Sequence, residues 1–277
     1  MEIAKRRLGK TGVDVTILGL GGEGVLRTYG HDKEAYKLIN RALDLEINYC
    51  ESARAYSGSE SYYGKALKER RRDIFLTSKS HARDRKGALA HLQETLSNMK
   101  TDHIDLWQVH DVRTEGDIAE IFGPGGAIEA FARAKDEGLT RFIGVTGHEN
   151  PGILNKCITL FEFDTVLLPV NPAEPDHMSF PEDTVPLANQ KGMGVIGMKV
   201  YLRGLPVQLP FVNTMQPFYD FALSHAVSTV VIGCDDVKQL EENVRFAESF
   251  RPMPQDDQEK LVLSLAPYAR RLMMYKP

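Results

Sequence analysis

Four residues in the first half of the chain have the types needed to work on one carbonyl group: Glu51, Tyr56, Lys79 and His110. A tyrosine has an ordinary pKa of about 10, so its phenol gives up a proton readily only where positive charge favours the phenolate. Lys79 is the candidate source of that charge. A lysine is costly to desolvate alone, and Glu51 is the partner expected to keep it ionised and oriented. His110 can donate a hydrogen bond to a carbonyl oxygen or relay a proton. Together the four would polarise and protonate a carbonyl, which is half of a carbonyl reduction. Taken singly, each has an ordinary reading as a packed rim tyrosine, a solvated lysine or a capping histidine. Their placement at the ends of consecutive apolar runs makes them a set.

Those runs are Thr16–Gly19, Ile47–Cys50, Ile74–Lys79, Ile104–His110, Arg141–Thr146, Thr165–Leu168, Gly194–Lys199 and Thr229–Gly233. Between them lie helical patterns, such as Ala35, Leu38, Ile39 and Ala42 behind a capping Asp32, or Val237, Leu240, Val244 and Ala247. Eight runs, each followed by a helix at βαβ spacing, predict an α/β fold, a closed (β/α)8 TIM barrel. Ahead of it, Gly9-Lys10-Thr11-Gly12 brackets an N-terminal β-hairpin over residues 1–15. With no linker-like shift in composition, residues 1–277 are expected to form one barrel domain, with 252–277 as a tail on it. That tail contains a helical pattern from Asp256 to Met273. Alternation places Leu106, Gln108 and His110 on one face; if that face is the lumen, Trp107 and Val109 point to the helices. Long connections follow the strands at Gly21–His31, His110–Gly125, Pro169–Pro181 and Tyr201–Thr214, on the face where barrels build active sites.

Composition excludes several classes. The net charge is −4, Lys and Arg are largely scattered, and the run Arg70-Arg71-Arg72 reads as a solvated helix end, so nucleic acid is not an expected partner. No apolar stretch has the length of a membrane span, and the first residues carry no signal-peptide core. Three dispersed cysteines, Cys50, Cys157 and Cys234, without a C-x-x-C pair, give neither a disulfide framework nor a metal site. A cytoplasmic location is the expectation, and the oligomeric state is left open.

The ordered motifs Arg7-Leu-Gly-Lys-Thr-Gly12, Leu18-Gly-Leu-Gly-Gly22, Ser59-Glu60, Thr77-Ser-Lys79, Asp105-Leu-Trp-Gln-Val-His110, Gly144-Val145 and Glu242-Asn243 resemble the aldo-keto reductase family over nearly the whole chain. The resemblance implies a nicotinamide-dependent oxidoreductase acting on a small carbonyl substrate. It matches Tyr56 to the family's catalytic acid, Lys79 to its lysine, His110 to its histidine and Glu51 to a position usually held by aspartate. Phe142-Ile-Gly-Val-Thr-Gly-His148 and Gly194-Val-Ile-Gly-Met-Lys199 resemble a branch that often carries an iron–sulfur segment. Its cysteines are missing, so no cluster is expected.

For the cofactor the resemblance implies contacts from Thr146, Gly147 and Leu167 to the nicotinamide amide, where only the Thr146 hydroxyl keeps the usual chemistry. Met198 takes the place of the stacking aromatic, and Lys199 would reach the pyrophosphate. Gly233, Cys234, Lys238, Gln239, Glu242 and Asn243 fall on the adenosine-binding loop and helix, whose start can donate N–H groups to phosphate. NADP(H) is the cofactor the family implies first. NAD(H) competes, because Asp235 and Asp236 would repel a 2′-phosphate and only Lys238 attracts it. Gly22-Glu-Gly24 is a weak match to a phosphate loop. Glu23, Arg27, Tyr29, Arg113 and His148 are candidate pocket residues. The rival readings are a nicotinamide-binding module without catalysis, and a Schiff-base lyase using Lys79 or Lys199.

Overall fold

The computed structural model describes residues 2–277. Strands β1 (Lys5–Arg7) and β2 (Asp14–Thr16) pair antiparallel as the expected hairpin. Eight parallel strands follow: β3 (Leu18–Gly24), β4 (Tyr49–Glu51), β5 (Phe75–Ser80), β6 (Ile104–Val109), β7 (Thr140–Thr146), β8 (Thr165–Pro169), β9 (Gly194–Met198) and β10 (Thr229–Cys234). They close in chain order, β10 pairing with both β9 and β3.

The barrel has two apolar layers. Inside, Tyr49, Phe75, Leu106, Leu167, Ile196 and Val231 fill the lower lumen, and Leu8 and Val15 of the hairpin plug it from below. The plug seats closely because Gly9, at φ +48°, has no Cβ to run into the backbone of Gly194. Outside, strand residues of the opposite parity face the helices, and Trp107 stacks on Phe131 with ring centroids 3.8 Å apart. Leu106, Gln108 and His110 therefore do share the lumen face, as the alternation predicted.

Among the described residues, side-chain caps begin five of the helices. Asp84 accepts from Gly87 N–H at 2.9 Å, Thr114 and Asp117 form a capping box, and Asn150, Ser179 and Asp236 cap their helices. The structure corrects several expectations. Asp32 does not cap its helix; it lies in the first turn and pairs with Lys65. β3 runs five residues past Gly19, because glycines let it lie against its neighbour: a Cβ on Gly21 would come within 2.9 Å of Gly233 N. The His110–Gly125 connection holds a helix, Glu115–Phe122, begun by the capping box. Arg71 is not a solvated residue of its run. It reaches under the barrel to buried Asp105 at 2.9 Å and to the carbonyl of His103 at 3.1 Å.

The tail helix stops at Leu265, where Pro267, lacking an N–H, forces a tighter turn before Ala269–Leu272. Leu265, Ala269 and Leu272 then pack on Ala173 and Leu202 from the loops after β8 and β9, so the tail lies on the face where the strands end. Its last turn is held by a fully buried ion pair, Lys276 to Glu174 at 2.6 Å, with Tyr275 donating to the same carboxylate at 2.7 Å.

One carboxylate in this layer lacks compensation. Asp220, on the helix Gln216–Ser224, has a buried Oδ1 without a partner, and burial raises its pKa to about 6. The folded pKa lies above the unfolded value of about 3.9, so its contribution is fully present below that value and is lost as pH rises through about 6. Asp220→Asn is expected to match the wild type near pH 4 and exceed its stability by about 1 kcal/mol at about pH 8, after discounting for partial exposure. Urea unfolding at the two pH values measures this.

Candidate active site

β4 and β5 deliver the first two functional side chains to the top of the lumen. Glu51 and Lys79 are both buried and form an ion pair. Lys79 Nζ also donates to the carbonyl of Ser52 at 3.0 Å, and the second oxygen of Glu51 accepts from Gly22 N–H at 3.0 Å. The longer glutamate side chain thus ties β3, β4 and β5 together.

Tyr56 sits in the turn after β4, fixed by Tyr56 N–H to Ala53 carbonyl at 2.9 Å. Its ring lies 5.0 Å from Lys79 Nζ, 5.2 Å from the Arg27 guanidinium carbon and 6.1 Å, edge-on, from the ring of His110. Burial first, then the Glu23 carboxylate, hold the Tyr56 phenol well above its ordinary pKa, against the pull of Arg27. The expected lowering by Lys79 does not prevail, since desolvation of the phenolate is larger than the benefit of a lysine already neutralised by Glu51. Burial likewise holds Lys79 well below the ordinary lysine value.

His110 follows β6, its N–H donating to Ser80 carbonyl at 2.9 Å and its carbonyl accepting from Arg83 at 2.8 Å. Burial, Lys79 and His148 push its pKa well down, so the ring is neutral, and its buried Nδ1 has no partner among the described residues.

A second cluster lines the mouth between β3 and β9. Glu23 meets Arg27 at 2.9 Å and Lys199 at 3.6 Å. Burial would raise its pKa, but Lys199, Arg27 and Arg203 together hold it below the usual range. Three cations facing one carboxylate leave positive charge for a further anion. Met198 lies among the lumen residues below them.

On β7, Thr146 accepts from Asp111 N–H at 2.8 Å and keeps its own hydroxyl proton for another acceptor, with Gly147 beside it. Leu167 is buried in the apolar lumen layer, where it has no group to offer an amide.

The adenosine-side residues lie at the end of β10 and on the first turns of the helix after it, where Cys234 and Asn243 are in contact. Asn243 turns inward, donating to Cys234 Sγ at 3.4 Å and accepting from Tyr201 at 2.8 Å, and burial raises the Cys234 thiol to about 12. Asp236 occupies Gln239 N–H at 2.9 Å, and the Gln239 side chain folds back to accept from Asp235 N–H at 2.8 Å. Gly233, Lys238 and Glu242 are exposed along this edge.

Two groups at the mouth come from the long loops after β6 and β9, where no local pattern singles them out. Arg203 adopts φ +59° in the turn after β9. Asp111, at φ +57°, binds His148 Nδ1 at 2.7 Å and Arg113 Nε at 2.7 Å. The one sequence signal for Asp111 was its place directly after His110.

Residues 17–207 match the sequence model of the Aldo/keto reductase family. An uncharacterized oxidoreductase of Bacillus subtilis is 25% identical, with 89% of this chain and 92% of that protein covered. The L-galactose dehydrogenase of Arabidopsis thaliana is also 25% identical, covering 93% and 92%. An aldo-keto reductase from Bacillus halodurans, solved in its holo form, superimposes with a TM-score of 0.80 at 24% identity, covering 96% of this chain and 97% of that one. An aldo-keto reductase from Klebsiella pneumoniae in complex with NADPH gives 0.77 at 14% identity, covering 96% of each.

Proposed function

Since the chain belongs to the Aldo/keto reductase family, we propose that it reduces aldehyde or ketone carbonyls to alcohols with a nicotinamide dinucleotide, Tyr56 serving as general acid. The observation that carries this reading is the convergence of Tyr56, the buried Lys79–Glu51 pair and neutral His110 at one end of the lumen.

The residues present fit such a cofactor. Lys199, Arg27 and Arg203, facing the single carboxylate of Glu23, suit a diphosphate, and the Met198 thioether suits an aromatic ring face. When bound, the dinucleotide supplies the hydride. Tyr56 then gives its proton to the carbonyl oxygen, and the nearby ammonium of Lys79 compensates the charge left on the phenol. Glu51 keeps Lys79 ionised against the cost of burial. His110, as a neutral imidazole, positions the carbonyl oxygen by hydrogen bonding. A Schiff-base role for Lys79 fits less well, because its nitrogen is engaged by the Glu51 carboxylate and the Ser52 carbonyl rather than turned to an open site.

At the adenosine edge, the acidic pair Asp235 and Asp236 and the satisfied Gln239 N–H favour NAD(H) over NADP(H). Asp236→Ala is expected to cost about 1 kcal/mol of stability through loss of the helix cap, and to narrow the preference for NADH over NADPH. Thermal unfolding and parallel titration with both dinucleotides measure the two effects. The reading as a whole is tested by loss of nicotinamide absorbance with a panel of aldehydes and ketones. Cofactor binding without turnover across the panel would favour a non-catalytic binding module instead.

A further inference from the structure

Beside His110 the mouth carries a second imidazole that the reduction just described leaves unused. His148 lies two residues beyond β7, and its ring centroid is 6.4 Å from that of His110. It is not free to rotate. Nδ1 is bound by Asp111 at 2.7 Å, and Asp111 is itself fixed at three points: its N–H on Thr146 Oγ1 at 2.8 Å, its carbonyl accepting from Arg83 at 2.7 Å, and its second carboxylate oxygen on Arg113 at 2.7 Å. Asp111 takes up a left-handed backbone, φ +57°, to make these contacts.

We infer that His148, positioned by Asp111, is a specificity residue that accepts a hydrogen bond from a hydroxyl on the carbon next to the substrate carbonyl. The inference rests on the reading of this site as a carbonyl reductase. Its logic is donor and acceptor matching. A carboxylate at Nδ1 fixes the proton on that nitrogen, which leaves Nε2 of the neutral ring as an acceptor. The charged groups facing the ring are Asp111 from the β6 side, Lys79 from β5 and Lys199 from β9, with neutral His110 beside it. Burial, Lys199 and Lys79 together outweigh Asp111 and keep the imidazole neutral. An acceptor cannot share the carbonyl oxygen, which is also an acceptor and is already addressed by Tyr56 and His110. It needs a proton donor on the substrate, and the spacing of the two imidazoles leaves room for oxygens on neighbouring carbons. The class so selected is the α-hydroxy carbonyl compounds, over alkyl carbonyls of the same shape.

The test compares lactaldehyde with its isostere 2-methylpropanal, which replaces the hydroxyl by a methyl. The ratio of their kcat/KM values is measured in the wild type, in His148→Leu, in His148→Gln and in Asp111→Asn. The intrinsic difference in carbonyl reactivity is common to all four, so only the change in ratio is read. His148→Leu is expected to lower the ratio about tenfold, the worth of one hydrogen bond. His148→Gln, which keeps an acceptor, should retain part of the ratio. Asp111→Asn should lower the ratio, and NMR titration should show the His148 pKa lowered further, which reports that the Asp111 carboxylate holds the ring. An unchanged ratio in His148→Leu overturns the inference and leaves the reductase reading standing, since a loss of turnover common to both aldehydes cancels in the ratio. Absence of turnover with both aldehydes in the wild type overturns the reductase reading and this inference with it.

Discussion

Tyr56→Phe is expected to lower carbonyl turnover by about 10²–10⁴-fold, the usual worth of a positioned general acid, while leaving dinucleotide affinity within about twofold. The variant removes one oxygen and keeps the ring. The contacts that seat that ring, with Arg27 at 5.2 Å, Lys79 at 5.0 Å and the edge of His110, depend on its face and edge rather than on the hydroxyl. Fold and cofactor site should therefore survive, and the loss should fall on kcat. Stopped-flow reduction of an aldehyde, set beside equilibrium titration of the same variant, separates the two quantities. A variant that retained its turnover would show that another group delivers the proton.

Lys79→Met is expected to damage both stability and turnover. It leaves the Glu51 carboxylate buried with a single backbone N–H, that of Gly22, as partner. Breaking a buried pair on one side typically costs about 3–5 kcal/mol, because the remaining charge is uncompensated. The double variant Lys79→Met/Glu51→Gln should recover much of that stability and none of the turnover, since neutralising the carboxylate repairs the fold but restores no cation beside Tyr56. Within the same pair, Glu51→Gln should cost more activity than Glu51→Asp, because charge rather than reach is what Lys79 requires. Urea midpoints, with m-values checked for constancy, report the stability arm. Equal stability in Lys79→Met and wild type would remove the pair from this role.

The barrel and the site differ in how much of each is legible in the sequence. All eight strands announce themselves as apolar runs, because a strand covered on both faces must be apolar at both parities. The faces follow from the same runs: Trp107 against Phe131 outside, His110 inside. Glu51 and Lys79 are legible as a pair because each ends such a run, and neighbouring strands in a closed barrel must bring their ends together. Glu23 is not legible in this way. β3 continues to it through Gly19, Gly21 and Gly22, which carry no apolar signal, so the strand reads as ending early and Glu23 as a loop residue. The cation cluster around it, and the Asp111–His148 contact, join residues from separate loops whose conformations are set by tertiary packing. The inward turn of Asn243 has the same origin, in contacts with Cys234 and Tyr201 that no local pattern encodes. Arg71 is misread for a related reason: a basic run looks solvated until a buried acceptor, here Asp105, is known to lie beneath it.

As proposed, the end of this lumen holds a reduced nicotinamide next to Tyr56 and spends it on a carbonyl. A single cuvette tests it: the protein is titrated with NADH and, separately, with NADPH while nicotinamide fluorescence is followed, and an aldehyde is then added. A saturable change in fluorescence is expected for the dinucleotide, stronger with NADH, and it should disappear in step with aldehyde consumed. No saturable change with either dinucleotide would contradict it.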